Sequence, residues 1–252
     1  MVYDCFPFYN ELDLLELRLH ELKDVVDRHI LVESRQTFQG REKPLWFDQN
    51  KARFEPFLDK ITHLIVDLPE GTPFDREFFQ RDAANSVLEN CDDKDIIIIA
   101  DVDEIISPTA LRIYCDNPIQ MPRAICQKVY YYWMNCLASD NCAAPVVMPF
   151  RQLKKFMGVT EARIKRDQFD RLYRGGWHFA YLGGVDAIIE KIGAFAHIEY
   201  NNPEFLDKNR LSKVLEDHGN LFSDKTCVIV PLDQTFPRYL TQNRDKFARY
   251  LK

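Results

Sequence analysis

The sequence lacks the features that mark repetitive and nucleic-acid-binding chains. It has only 9 Gly beside 13 Pro in 252 residues, and it shows no fixed-period repeat and no low-complexity tract. Its formal net charge is −6, so it offers no basic surface for a nucleic acid or an anionic membrane. These absences exclude a solenoid and a propeller, and they predict that nucleic acid is not a partner.

Long apolar runs are also missing. The most apolar stretch is residues 96–100, whereas a spanning helix needs about 20 apolar residues. The first six residues have neither the basic segment nor the apolar segment of a signal peptide. We therefore expect no membrane span and a cytoplasmic location, with removal of a Golgi-type anchor as the alternative.

The seven cysteines do not form a metal-binding pattern. Their number is odd and no two have the spacing of a zinc site. Scattered buried thiols in a reducing compartment are therefore expected. A disulfide between Cys136 and Cys142 is the alternative, since both lie in a polar segment that resembles a loop.

The sequence does have an apolar content of 46%, and segments with the pattern of a strand alternate regularly with segments that have the pattern of a helix. Strands are predicted at residues 2–8, 28–33 and 61–68, with a helix following the first strand. A second helix, residues 74–90, precedes a continuous apolar strand at residues 95–100, as is typical of the buried centre of a parallel sheet. This order predicts an open, doubly wound α/β layer.

After residue 107 the pattern changes to longer, aromatic-rich strands at residues 123–136 and 145–150. Helices are predicted at residues 186–194, 203–217 and 236–251. Because no linker rich in Gly, Ser or Pro separates the two parts, residues 1–252 are predicted to form one domain. Residues 1–106 would be its nucleotide-binding half, and residues 107–252 would complete the cleft.

The most informative segment is the acidic turn that follows the four isoleucines. Asp101, Asp103 and Glu104 fall at the carboxyl edge of a buried strand, where ligands bind in open α/β sheets. Asp101 and Asp103 are two residues apart and point the same way on an extended chain. Together they can hold a hard divalent cation whose remaining ligands are phosphate oxygens. A solvated acidic turn is the alternative, which the preceding isoleucines disfavour.

Two enzyme classes place an Asp-x-Asp motif after an apolar strand. In phosphatases of the haloacid dehalogenase type, that strand usually opens the domain. In nucleotide-sugar glycosyltransferases of the GT-A type, a first nucleotide-binding half precedes it, as here. The position favours the transferase. A metal-dependent phosphatase or nucleotidyltransferase is the second candidate, and a carbohydrate-binding module is the third.

Several blocks of the sequence, in order from Tyr3 to Leu251, resemble glycosyltransferase family 17. The blocks are YDCFPFYNELDLLELRLHEL, VES, QR, ADVDEI, GGWHFAYLGG and PRYLTQNRDKFARYL. The resemblance implies a GT-A fold, which is an open, mostly parallel twisted sheet with helices on both faces. It also implies an inverting transferase that moves a sugar from UDP-GlcNAc to a glycan such as an N-glycan. Another UDP-sugar, such as UDP-xylose or UDP-glucose, is the alternative donor.

The donor is expected at the ends of the first two strands and beside the helix that precedes the acidic turn. An arginine there can pair with a diphosphate through its planar guanidinium. The expected donor-binding residues are Pro7, Phe8, Glu11, Glu33, Arg81, Asn85 and Asp101.

The expected cofactor is Mn²⁺ or Mg²⁺. Asp103 is its predicted primary ligand, and Asp101 either shares the ion or holds the ribose. Enzymes of the GT-A type often add a His from a later loop, and His197 follows a predicted helix at such a place. His178 is the competing ligand.

Inversion by single displacement needs a carboxylate that takes the proton of the acceptor hydroxyl. Related GT-A transferases carry this acid in a Gly-Gly-x-Asp turn, and Asp186 follows Gly183 and Gly184 in the same way. Asp186 is therefore the predicted base, although an Asp at a helix start also serves as a cap. Glu104 is its main rival.

The acceptor is expected to contact an aromatic segment that precedes this turn. The apolar faces of sugar rings stack on aromatic side chains. The predicted acceptor-binding residues are Trp177, His178 and Tyr181.

Overall fold

The computed structural model describes all 252 residues, and most of its strands belong to one ten-stranded sheet. The strands are β1 (Val2–Phe8), β2 (Arg28–Ser34), β3 (Ile61–Val66), β4 (Ile96–Ile99), β5 (Glu104–Ile106), β6 (Arg123–Tyr131), β7 (Cys136–Pro149), β8 (Asp170–Leu172), β9 (Gly176–Ala180), β10 (Gly219–Asn220), β11 (Ser223–Thr226) and β12 (Val228–Ile229). The α-helices are α1 (Leu12–Leu22), α2 (Trp46–Gln49), α3 (Pro73–Asp82), α4 (Asn85–Leu88), α5 (Pro108–Asp116), α6 (Phe150–Leu153), α7 (Val159–Ile164), α8 (Gly184–Ile192), α9 (Pro203–Leu206), α10 (Lys208–Glu216) and α11 (Arg238–Gln242). Four 3₁₀ segments lie at Lys51–Lys60, Lys165–Gln168, Ile198–Tyr200 and Ala248–Tyr250.

The first half of the sheet is parallel, as the alternation of strands and helices predicts. Its strands run in the order β3-β2-β1-β4, so the chain starts in the middle and the ends of β1 and β4 lie side by side. In the register of these strands, Tyr3 of β1 is opposite Arg28 of β2 and Ile97 of β4. The predicted α/β class with a Rossmann-like first half is confirmed.

The second half of the sheet is mixed. β7 pairs antiparallel with β4 and with β6, and β9 then pairs parallel with β6 and antiparallel with β5. The strand predicted at residues 123–136 ends at Tyr131, since the chain turns at Tyr132, whose φ is 66°. The strand predicted at residues 145–150 overlaps the last part of β7, which begins at Cys136. The acidic turn between β4 and β5 connects the parallel half of the sheet to the mixed half.

Helices cover both faces of the sheet, and successive residues of β4 point to opposite faces. Ile97 and Ile99 pack with apolar residues of α4 and α7 on one face. Ile96 and Ile98 pack with residues of α1 and α5 on the other. A continuous apolar run is what a strand buried on both faces requires.

Two of the three helices predicted in the second half are shorter than expected, whereas α8 has the predicted length. The helix predicted at residues 203–217 restarts at Lys208 because the Asp207 carboxylate caps α10 by accepting from the Arg210 N–H. In residues 236–251 only α11 and a short 3₁₀ turn are helical. Likewise, residues 74–90 divide into α3 and α4.

The alternative of a disulfide between Cys136 and Cys142 is wrong. Both residues lie on β7, where six residues of extended chain separate their Cα atoms by about 20 Å. A disulfide needs a Cα separation of about 4.4–6.8 Å. All seven cysteines are free thiols.

One glycine of the GGWHF block brings β9 and β5 together. Gly176 has φ +133°, and a Cβ there would lie 2.1 Å from the carbonyl oxygen of Ile105. Only glycine permits so close an approach of the two backbones. This approach places His178 opposite Glu104, beside the acidic turn.

Truncation of Ile98 to Ala is expected to lower the free energy of unfolding by about 2–5 kcal/mol, because it leaves a cavity in the centre of the sheet. The matched control is Ile113→Ala, where the residue is 63% exposed and the change should stay within about 0.5 kcal/mol. Urea unfolding monitored by circular dichroism measures both. Equal losses in the two variants would contradict the assignment of β4 to the core.

Candidate active site

The acidic turn lies at the carboxyl ends of the parallel strands and opens onto a cavity. β4 ends at Ile99, and Asp101 and Asp103 both line this cavity, whose volume is about 490 Å³. Val102, between them, is buried in a core cluster with Phe6. The two carboxylates therefore share one side of the turn and the apolar residue takes the other.

Two arginines hold the carboxylate of Asp101. Arg81 Nη1, from α3, donates to Oδ1 at 2.8 Å, and Arg163 Nη2, from α7, donates to Oδ2 at 2.8 Å. Burial alone would raise the pKa of Asp101, but Arg163 and Arg81 lower it to about 2. Asp101 is therefore ionised at neutral pH, and each of its oxygens already accepts a hydrogen bond.

Asp103 is held more loosely by a lysine and a histidine. Lys191 Nζ, from α8, donates to Oδ2 at 2.7 Å, and His178 Nε2, from β9, lies 3.6 Å from Oδ1. Burial alone would raise the pKa of Asp103, but Lys191 and His178 lower it well below its ordinary value. Since 3.6 Å exceeds a normal hydrogen bond, Oδ1 keeps acceptor capacity toward the cavity.

The cavity has a charged part and an aromatic part. Beyond the acidic turn, its charged lining includes Glu11. Its aromatic wall is a chain of rings in which Tyr181 contacts Tyr131 and Phe222, with centroids 5.4 and 5.2 Å apart, and Phe222 contacts Tyr200 at 4.7 Å. Such a cavity can accept a ligand that has both charged groups and rings.

Most of the predicted donor-binding residues line this cavity. They are Pro7, Phe8, Glu11, Arg81 and Asp101. The Glu11 carboxylate accepts from the backbone N–H groups of Tyr9 and Asn10, and burial raises its pKa. The guanidinium of Arg81 is bonded to Asp101 and to Glu77, so its main contact is with the acidic turn.

Glu33 and Asn85 were also predicted to bind the donor, and the structure places both outside the cavity. Glu33 is fully buried, where it accepts from the Phe47 N–H at 3.0 Å and lies 3.1 Å from His63 Nε2. Asn85 Oδ1 accepts from the Val159 N–H at 3.2 Å. The two side chains attach α2 and α7 to their neighbours, and this corrects the expectation.

Of the predicted acceptor-binding residues, His178 and Tyr181 line the cavity and Trp177 does not. Trp177 is 8% exposed, and its indole N–H donates to the carbonyl oxygen of Thr235 at 3.0 Å. Because successive residues of β9 face opposite sides of the sheet, His178 points to the cavity and Trp177 into the core. The expectation for Trp177 is corrected accordingly.

Asp186 lies on the first turn of α8, outside the cavity lining. Its side chain is 86% exposed and pairs with Lys208 Nζ at 2.8 Å. Glu190, one helical turn later on the same face, accepts from the hydroxyl of Tyr9 at 3.0 Å, and Tyr9 lines the cavity. Asp186 therefore lies on the face of α8 that reaches the cavity rim.

Glu104, the rival base, is buried beneath the turn. Its carboxylate is bound by Arg163 at 2.8 Å, and it also accepts from the backbone N–H of Asp101. It is 1% exposed and both of its oxygens accept hydrogen bonds from Arg163, so no acceptor hydroxyl can approach it. This corrects the expectation that Glu104 is a candidate base.

The side chains fit a divalent cation only in part. No group of three or more His, Cys, Asp or Glu side chains is arranged to hold one. His197 lines the cavity, but its Nδ1 lies 2.7 Å from Glu199. Divalent cations at nucleotide sites often take one or two carboxylates and phosphate oxygens. Asp103 fits this pattern through its open Oδ1, whereas both oxygens of Asp101 are occupied by arginines.

Several cavity residues were not predicted from the sequence. They are Lys43, Glu77, Lys191 and Tyr200. Lys191 is the most important of them, because it contacts Asp103 directly although the two are 88 residues apart. A lysine near the end of a helix whose opposite face is apolar was the only local signal. Nothing local shows that this end of α8 meets the acidic turn.

Residues 1–251 match the family model described as Glycosyltransferase family 17, and the chain belongs to this family. It is similar to the rat enzyme named beta-1,4-mannosyl-glycoprotein 4-beta-N-acetylglucosaminyltransferase, with 36% identity over 295 residues that cover 99% of this chain and 54% of the relative. The human enzyme of that name is 36% identical over 291 residues, which cover 98% and 54%. The chain thus spans about half the length of the curated relatives it matches.

Two solved structures show a distant likeness to this chain. HddC from Yersinia pseudotuberculosis has a TM-score of 0.41 and 13% identity, covering 72% of this chain and 89% of its own. Glucosyl-3-phosphoglycerate synthase from Mycobacterium tuberculosis, in complex with Mn²⁺, UDP and phosphoglyceric acid, has a TM-score of 0.37 and 13% identity, covering 96% and 91%. The family and the sheet order of this chain confirm the predicted GT-A type of fold and the predicted resemblance.

The predicted cytoplasmic location is wrong. The curated relatives are named for action on mannosyl-glycoproteins, which are not a cytoplasmic class of substrate. Among the helices of the structure, none combines the length and the apolar character that crossing a membrane requires.

The ion pair of His178 and Asp103 predicts that the pKa shift of His178 reverses its direction when Asp103 is replaced. Burial alone would lower the pKa of His178, but the Asp103 carboxylate raises it above its ordinary value of about 6.5. In Asp103→Asn, burial remains and the carboxylate is lost, so the pKa should fall below 6.5. NMR titration of the imidazole measures both values, and an unchanged pKa would contradict the pairing.

The same pairing has a consequence for stability. Because the folded-state pKa of His178 lies above the unfolded value, the pair contributes fully to stability below about pH 6.5. The contribution is lost as the pH rises through the folded-state pKa.

Proposed function

We propose that this chain transfers a sugar from a UDP-sugar to a hydroxyl group of a glycan, with inversion at the anomeric carbon. The observation that carries the proposal is the meeting of charge and aromatic rings in one cavity. Asp101, Asp103 and Lys191 form its charged part, and the wall around Tyr181 forms its aromatic part. A UDP-sugar has a diphosphate for the first part and rings for the second.

UDP-GlcNAc is the proposed donor and a mannose-containing N-glycan the proposed acceptor. Support comes from the curated relatives, whose name specifies transfer of N-acetylglucosamine to a mannosyl-glycoprotein. We propose that residues 1–106 bind the donor and residues 107–252 provide the acceptor site and the base. UDP-xylose or UDP-glucose in the same site is the alternative donor.

The nucleotide is proposed to lie along the loop between β1 and α1. Pro7 and Phe8, which end β1, and Glu11 of this loop line the cavity beside Asp101, at the carboxyl ends of β1 and β4. Ligands bind at this edge of open α/β sheets. In this position the diphosphate would lie near Lys191, whose ammonium can pair with its oxygens.

We propose that the site uses Mn²⁺ or Mg²⁺. Asp103 would hold the ion through its open oxygen, with Asp101 kept beside it by Arg81 and Arg163, and with His197 as the candidate further ligand on the cavity wall. A bound divalent cation neutralises charge on the departing diphosphate. Lys191 supplies positive charge at the same carboxylate in the structure.

Asp186 is the proposed general base. The acceptor oxygen bonds to the anomeric carbon as the bond from that carbon to the diphosphate oxygen breaks, and the hydroxyl proton passes to the Asp186 carboxylate. Two observations support this role: the side chain is open to a large acceptor, and it lies on the face of α8 whose next turn reaches Tyr9.

UDP with Mn²⁺ is expected to stabilise the wild-type chain. A ligand at 100 times its Kd adds about 2.7 kcal/mol, which for a chain of this length raises Tm by roughly 5–10 °C. Asp103→Asn should lose most of the rise, while the control Asp170→Asn, whose side chain is 79% exposed, should keep it. A thermal-shift assay measures all three. An equal rise in Asp103→Asn would contradict the proposed donor site.

The same assay separates a carbohydrate-binding module from the proposed transferase, and an assay of reaction products separates the other enzyme classes. A carbohydrate-binding module would be stabilised by glycans and would not respond to UDP. A phosphatase or nucleotidyltransferase would release phosphate or form nucleotidyl products without any sugar acceptor. Mass spectrometry of products from a library of UDP-sugars and glycans identifies the transferred sugar.

Asp186→Asn is expected to lower kcat by about 10²–10⁴-fold, since a positioned general base contributes that much. Its affinity for UDP should not change, because Asp186 lies outside the cavity lining. Glu216→Gln, an exposed acid on α10, is the control with normal turnover. Loss of turnover in Glu190→Gln with normal turnover in Asp186→Asn would transfer the role of base to Glu190.

A further inference from the structure

A buried arginine on α1 holds the backbone of the acidic turn. Arg18 Nη1 donates to the carbonyl oxygens of Asp101 at 3.0 Å, Val102 at 3.3 Å and Glu104 at 2.9 Å. These carbonyls belong to the turn that carries both cavity carboxylates. Arg18 itself is fully buried and does not line the cavity.

Two side chains from the parallel strands fix the guanidinium of Arg18. Its Nε and Nη2 donate to the two oxygens of Asp4, on β1, at 2.8 and 2.5 Å. His29, on β2, places its Nδ1 2.8 Å from Asp4 Oδ2. All three side chains have no exposed surface. The first two strands of the sheet therefore determine where Arg18 lies.

The charge of this group is retained inside the core. Burial alone would raise the pKa of Asp4, but Arg18 and His29 hold it well below its ordinary value. A buried ion pair contributes little to stability compared with well-packed apolar side chains, because both charges lose their hydration. The stability of the core therefore does not by itself explain an arginine at this position.

We propose that Arg18 is a positioning residue for the donor site: it fixes the backbone of residues 101–104 so that Asp101 and Asp103 face the cavity before the nucleotide arrives. This inference rests on the proposed function for the identity of the ligand. The effect on the turn follows from the hydrogen bonds alone. Preorganised groups bind more tightly, because no conformational entropy is lost in ordering them when the ligand binds.

Lysine cannot replace Arg18 in this role. The planar guanidinium reaches Asp4 with two of its nitrogens and the turn with the third, in a fixed geometry. An ammonium at the end of a flexible chain can neutralise Asp4 but does not have that geometry. Arg18→Lys therefore keeps the charge and loses the bonds to the turn.

The test compares two variants by Tm and by calorimetric affinity for UDP with Mn²⁺. Arg18→Lys should weaken affinity by about 10–100-fold, as loss of a supporting contact around a metal ligand does. The control is Leu111→Ala, which destabilises a core cluster that contains no cavity residue, so it should lower Tm and leave the affinity nearly unchanged. Losses of affinity that simply follow Tm in both variants would overturn the proposal.

Hydrogen exchange of the folded wild-type chain tests whether the turn is ordered without ligand, even if Arg18→Lys does not fold. The N–H of Asp101 donates to Glu104 Oε2 and the N–H of Glu104 donates to the carbonyl oxygen of Asp101, so both amides should be protected without ligand. Exchange at unprotected-loop rates that slows only when UDP binds would overturn the proposal. Protected amides in a wild-type chain that binds no UDP would contradict the proposed function and support a turn that is ordered before any nucleotide arrives.

Discussion

Neutralisation of a buried acidic turn is the interaction on which the rest of this structure depends. The turn that follows β4 places carboxylates where desolvation strongly disfavours charge. Arg81 and Arg163 compensate Asp101, Lys191 compensates Asp103, and Arg18 binds the backbone beneath them. These cations come from α3, α7, α8 and α1, so the site is complete only when both halves of the chain have folded together. A cavity built this way combines ionised carboxylates with positive charge, which suits a diphosphate and a metal ion.

The elements of the first half could be predicted because their signals are local. The alternation of strands and helices, the four isoleucines and the acidic turn are all read within short windows of sequence. The order of the parallel strands then brings the end of β1 and the loop after it to the turn after β4, and so Pro7, Phe8 and Glu11 line one cavity with Asp101. The resemblance to a family added the later blocks of the sequence, including the glycine that joins β9 to β5.

The remaining site residues depend on contacts between distant segments. Glu33 ends a strand at the expected edge, but the N–H of Phe47 occupies its carboxylate. Trp177 sits in an aromatic block, yet the register of β9 turns it into the core toward Thr235. Lys191 reaches Asp103 across 88 residues, a distance that no local pattern reports. Each of these outcomes was decided by a neighbour in space rather than by a neighbour in sequence.

The most direct test of the central claim is a crystal structure of the chain with UDP and Mn²⁺, with anomalous diffraction recorded at the manganese edge. The account predicts an anomalous peak between Asp103 and the diphosphate, with the turn 101–104 in the conformation described above and Lys191 moved from the carboxylate to phosphate oxygens. UDP bound at another surface, or bound in this cavity with Asp103 directed away from the diphosphate, would contradict it.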